Sequence, residues 1–159
     1  MAVLRIGLIS DTHGLLRPEA VAFLNGSNHI IHAGDIGSPA ILDELAALAP
    51  LTAVRGNNDH GPWAEALPEI ATVPVGSTSI LVIHDLKDLT IDPAAAGHRV
   101  VVAGHSHRPY VEERNGVLYV NPGSAGPRRF RLPVAVAELF VDGGFVSARW
   151  VELEIGKSG

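Results

Sequence analysis

The chain has 159 residues, 47% of them hydrophobic and 18% charged, with a formal net charge of −5. That length suits a single domain, residues 1–159, able to bury roughly 70% of the surface its unfolded chain exposes, and the composition excludes a disordered chain. The acidic balance argues against a strong nucleic-acid surface, while the lack of cysteine excludes disulfides, thiolate metal ligands and a cysteine nucleophile together.

No apolar run approaches the roughly 18 residues of a membrane span. The first apolar run lacks the basic start and cleavage site of a signal peptide and reads as a strand. A cytoplasmic protein with no membrane partner is therefore expected.

The first stretch, residues 4–14, is an apolar run that ends in Asp11-Thr12-His13-Gly14. Side chains two apart on extended backbone point the same way, so Asp11 and His13 can aim at one point. Pro18 opens a short helix through Leu24, because proline suits a first helical turn. A second strand leads through Ile30, Ile31 and Gly34 to Asp35. Ser38-Pro39 reads as N-cap and first turn of a helix carrying Ile41, Leu42, Leu45 and Leu48 at helical spacing, which Pro50 stops. A third strand delivers Gly56-Asn57-Asn58-Asp59. This β-α-β-α-β run predicts parallel strands.

Residues 62–68 read as a loop, and strands near 70–75 and 79–83 flank a Gly76-Ser77 hairpin before His84. Asp92-Pro93 is expected to start a brief helix that Gly97 ends. A strand at 99–103 leads to Gly104-His105-Ser106-His107. Two antiparallel hairpins then follow, around Asn115-Gly116 (about 109–113 with 117–120) and around residues 142–144 (133–141 with 145–155). The sum is an α/β fold of two packed sheets with helices outside, and a frayed tail at 156–159.

Five strand-like runs thus each end in a group able to hold a metal. Groups just beyond the carboxyl ends of strands gather in one crevice of an α/β sheet. With no thiolate available, any metal must be held by oxygen and imidazole nitrogen.

Taken together, these motifs, with Asn121-Pro122-Gly123-Ser124 after the His-x-His, resemble the calcineurin-like metallophosphoesterases, and in size their compact bacterial and archaeal phosphodiesterase branch. The resemblance implies a four-layer αββα sandwich of mixed sheets and a two-metal site. Asp11, His13, Asp35 and His107 would hold one ion. Asp35, Asn57, His84 and His105 would hold the other, with Asp35 bridging. Manganese leads the expected metals, with iron, zinc, nickel or cobalt open. The implied chemistry is attack on a small or terminal phosphodiester by a two-metal-activated hydroxide.

Two positions depart from the family pattern. Asn58 stands where the broader superfamily has a leaving-group histidine, which points towards diesters. Asp85-Leu86 stands where Gly-His is common. Among weaker candidates, His32 reads as a packed or supporting histidine, and Asp59 as an orienting residue or a turn cap. Arg128 and Arg129 read equally as phosphate-steering groups or a solvated pair, and Trp63 as a hydrophobic edge in preference to a base-stacking platform. The competing function is a non-catalytic interaction module on the same fold, as in the retromer subunit that resembles this family. Homo-oligomerisation is left open.

Overall fold

A computed structural model describes residues 3–129 and 131–155 of the chain. The expected frayed tail at 156–159 lies outside the described residues.

The first third builds as its sequence dictates. Strand β1 (Leu4–Ile9) is followed by α1 (Pro18–Leu24), β2 (His29–His32), α2 (Pro39–Ala46) and β3 (Leu51–Ala53). Pro18 and Pro39 open the two helices, and the Ser38 hydroxyl caps α2 by accepting from the Ala40 amide. β1 pairs with β2, and β2 with β3, all parallel. Helix α3 (Pro62–Glu65) follows, then β4 (Ile70–Val75), β5 (Thr78–Ile83), β6 (Val100–Val102), β7 (Tyr110–Arg114), β8 (Val117–Asn121), β9 (Ala135–Asp142) and β10 (Phe145–Glu152).

Two five-stranded mixed sheets result, ordered β10-β9-β1-β2-β3 and β4-β5-β6-β8-β7. The C-terminal hairpin closes back on the first sheet, with β9 antiparallel to β1. The second sheet pairs β5, β6 and β8 parallel, flanked by antiparallel β4 and β7.

Three apolar clusters hold the layers. Ile6, Leu8, Ile31, Ile80, Val100, Val120 and Leu139 pack between the sheets. Ile9, Leu24, Ile30, Ile41 and Leu45 seal α1 and α2 onto the outer face of the first sheet. Each such side chain contributes roughly 1.5–3 kcal/mol on full burial. On the outer face of the second sheet, Leu81, Ile83, Val101 and Tyr119 pack with Leu86 and Leu89 from the segment after β5. The αββα sandwich therefore has unequal outer layers.

Two local expectations are corrected. Residues 92–97 form turns rather than a helix, with the Asp92 carboxylate accepting from the Ala94 amide and the Gly97 amide bonded to Ala94. Pro93 followed so soon by Gly97 leaves too few residues to repay helix nucleation. Conversely, residues 62–68 include the single helical turn of α3, which Gly61 admits through a left-handed φ of 102°.

One charged group lies in the body of the first sheet. Glu138 on β9, 3% exposed, accepts from Arg5 at 2.7 Å and from Arg149. Burial raises its pKa, but Arg5 and then Arg149 outweigh this and hold it below its ordinary 4.5. A folded-state pKa below the unfolded one gives stability that is present above 4.5 and lost as pH falls through the folded value. Glu138→Gln is expected to lower stability by about 2 kcal/mol, or ~4–8 °C in Tm. Thermal unfolding at pH 7 should show the full gap, and the same comparison at pH 3 should show it reduced.

Candidate metal centre

The carboxyl ends of β1, β2, β3, β5 and β6 open at one edge of the sandwich. Asp11, Asp35, Asn57, His84 and the pair His105 and His107 follow those strands. Their ligand atoms converge in two groups, Asp11 with His13 and His107, and Asp35 with His84 and His105.

In the first group, Asp11 Oδ1 lies 3.3 Å from His107 Nε2 and 3.7 Å from His13 Nε2. The two imidazole nitrogens are 3.4 Å apart. In the second group, Asn57 Oδ1 sits 3.0 Å from His84 Nε2 and 3.2 Å from His105 Nδ1. Asp35 Oδ2 faces both groups, 3.3 Å from His84 Nε2 and 3.7 Å from His13 Nε2.

The donor set suits a cation. Asp11 Oδ1 is buried and has no hydrogen-bond partner, which is costly for a carboxylate unless something positive satisfies it. The His84 Nδ1–H donates to the Ala33 carbonyl at 2.7 Å, leaving Nε2 aimed at the oxygens of Asp35 and Asn57. Burial alone would lower the His84 pKa, but Asp35 and Asp11 reverse this and raise it to about 9. Burial likewise works to raise Asp11, yet the His107 and His13 imidazoles and the Ser10 hydroxyl hold it well below the usual carboxylate range. The cluster thus favours positive charge between its two carboxylates.

Backbone strain marks the same residues. Six non-glycine residues among those described have left-handed φ: Asp11, His13, Asp35, His105 and His107, plus Asn115 in its Asn-Gly turn. Each conformation costs about 1 kcal/mol or more, and such strain persists where the surroundings over-determine it, commonly at functional sites.

The loops carrying these side chains are tied together through backbone. Asp11 Oδ2 accepts from the Ser10 hydroxyl at 2.6 Å and from the His105 amide at 3.1 Å, joining β1 to the turn after β6. The Ser124 hydroxyl donates to the Asp11 carbonyl, and the Asn121 amide group donates to Gly104 O and Ser106 Oγ. Glycine is required where these turns touch: a Cβ on Gly104 would overlap Ser10 and Asp11, and one on Gly56 would overlap Asp35.

The weaker sequence candidates occupy different places. Asn58 donates its backbone amide to Asp35 Oδ1 (2.9 Å) and its side-chain amide to Asp35 Oδ2 (3.1 Å). Asp59 is buried, and its carboxylate accepts from the amides of Ile36, Gly37 and Gly56. It staples the loops after β2 and β3, so its influence runs through backbone. Arg128 is exposed and donates to the Leu132 carbonyl; no described contact joins it to the cluster. Fully buried His32 accepts from the Gly34 amide at Nδ1, so Nε2–H donates to Thr12. Burial pushes its pKa down to about 4, fitting a neutral supporting ring. Trp63 packs on the edge of the outer apolar cluster.

Two partners escaped sequence reasoning. Ser10 follows the last residue of β1 and carries no pattern signal of its own. Asp85 caps the short 3₁₀ turn Leu86–Asp88 through the Lys87 amide, and its other oxygen lies 3.5 Å from His105 Nε2. The carboxylate thus lies on the Nε2 side of the ring, opposite the Nδ1 that faces Asn57. The position was visible as a departure from the family pattern, but its direction was not.

The sequence profile of the calcineurin-like phosphoesterase superfamily domain matches residues 4–143. A probable metallophosphoesterase of Methanothermobacter thermautotrophicus is 37% identical over 151 residues, covering 87% of this chain and 86% of that protein. The chain belongs to the calcineurin-like phosphoesterases. The phosphoesterase fold extends to solved structures. One described as a novel archaeal phosphodiesterase has 25% identity and a TM-score of 0.78, covering 94% of this chain and 100% of that one. Vps29 of Chaetomium thermophilum has 22% identity and a TM-score of 0.82, covering 98% and 90%. Among the described residues no helix is long and apolar enough to cross a membrane.

Proposed function

We propose that this phosphoesterase is a single-domain phosphodiesterase acting on small or terminal phosphodiesters with two divalent transition metal ions. Asp11, His13, Asp35 and His107 would hold one ion, and Asp35, Asn57, His84 and His105 the other. The observation that carries this reading is Asp35 Oδ2 facing both ligand groups, next to the buried, unpartnered Asp11 Oδ1. Bound there, such a metal pair supplies Lewis-acid activation of water and of the phosphoryl oxygens. Two carboxylates against four imidazoles and one amide leave the loaded site net positive, as phosphate binding requires. Imidazole with oxygen suits manganese, iron, zinc, nickel or cobalt, and manganese is the first to try.

This chain's own residues set the geometry. Asn58 holds both oxygens of Asp35 in place, and Asp85 lies 3.5 Å from His105 Nε2. No histidine stands at position 58 to protonate a leaving group, so good leaving groups and diesters are favoured over alkyl monoesters. The test is hydrolysis of bis(4-nitrophenyl) phosphate and of an alkyl phosphate monoester by metal-reconstituted protein. Diester hydrolysis well above monoester hydrolysis is the expected result. Likeness in fold to Vps29 supports the other reading, a protein-interaction module. Metal binding without hydrolysis of any diester would favour it.

A further inference from the structure

Beside the Asp35–His84–His105 half of the site lies a cavity of about 380 Å³, within the range of small-ligand pockets. Its lining includes Asn57 and His84 of the site together with Ile83, Ile70, Leu89 and Ile91. Ile70 and Ile91 are 44% and 45% exposed, unusually open for large aliphatics. Two charged residues of the wall, Arg55 and Glu69, neutralise each other as an ion pair. Of the two other carboxylates in the lining, Asp85 faces the His105 imidazole at 3.5 Å, and Asp88 has no partner among the described salt bridges. The lining therefore combines four large aliphatic side chains with three carboxylates against one guanidinium group, next to the proposed metal centre.

We propose that this cavity seats the organic arm of the phosphodiester and selects an alkyl arm bearing a positive charge, such as a substituted ammonium. The inference rests on the diesterase reading for the position of the phosphate. Phosphate at the metal cluster directs its second substituent either to solvent or along this wall. The isoleucines and Leu89 would cover an alkyl skin. Asp85 and Asp88 attract a cation and repel a second anion, which disfavours polynucleotides and nucleotide chains.

The test separates charge from shape. Methyl phosphocholine and methyl 3,3-dimethylbutyl phosphate have nearly the same shape and differ in the charge of one arm. Calorimetric binding to manganese-reconstituted protein is expected to favour the choline ester by about tenfold, roughly threefold for each carboxylate at partly solvated distances. Asp88→Asn should cut the preference to about threefold, and Ile91→Ala should weaken both esters alike. Equal binding of the two esters, binding of neither, or a preference unchanged by Asp88→Asn would overturn the proposal. Hydrolysis of bis(4-nitrophenyl) phosphate reads out the diesterase assignment separately. Choline preference without hydrolysis of any diester would leave the cavity as assigned and remove the enzyme.

Discussion

Exhaustive chelation is expected to return diester hydrolysis to the uncatalysed background, and added manganese to restore it. The ligand atoms explain why nothing else in the chain can substitute. Asp11 Oδ1 has no hydrogen-bond partner among the described residues, and the polar atoms of the two groups and Asn57 lie 3.0–3.7 Å from their neighbours in the cluster. No serine–histidine pair or cysteine offers a metal-free nucleophile in this cluster. Elemental analysis before and after chelation should count two ions per chain and then none. Full activity with no metal detected would overturn the two-metal assignment.

Asp35→Ala is expected to cost more than His13→Ala, about 10³-fold or greater in kcat/KM, with metal lost from both halves of the site. Asp35 is the one carboxylate that faces both ligand groups, and both its oxygens are held by Asn58. His13 belongs to one ligand group and its side chain is 17% exposed, so its loss leaves Asp11 and His107 still together. Metal stoichiometry distinguishes the two variants without reference to rate. Equal metal content and equal activity would show that Asp35 does not bridge.

Much of this was legible because the chain repeats one device. An apolar run of four to six residues ends in a polar ligand type, and the strand ends, not the strands, carry the chemistry. β1, β2 and the Asn115-Gly116 turn followed directly from apolar runs and turn residues. What escaped were effects that depend on a distant neighbour. Asn58 reads in sequence as a missing acid, yet its amide is turned back onto Asp35. Asp59 reads as an orienting residue or a turn cap, and the loops it joins through three backbone amides include one 23 residues away. Asp85 meets His105 across 20 residues of chain, a contact no local pattern encodes. The turn at 92–97 and α3 failed for the opposite reason, since each is too short for propensity to decide.

The left-handed backbone at five of the seven clustered side chains has a cost that falls on the rest of the molecule. Glycine at any of these positions would relax the main chain, but it would delete the very group that the turn exists to present. The rim therefore cannot be improved for stability by substitution while it keeps its side chains. The reserve that holds it must come from elsewhere, chiefly the valine, isoleucine and leucine layers between and outside the sheets. Variation that loosens those layers, far from any polar group, would be felt first as a rim that no longer holds its shape.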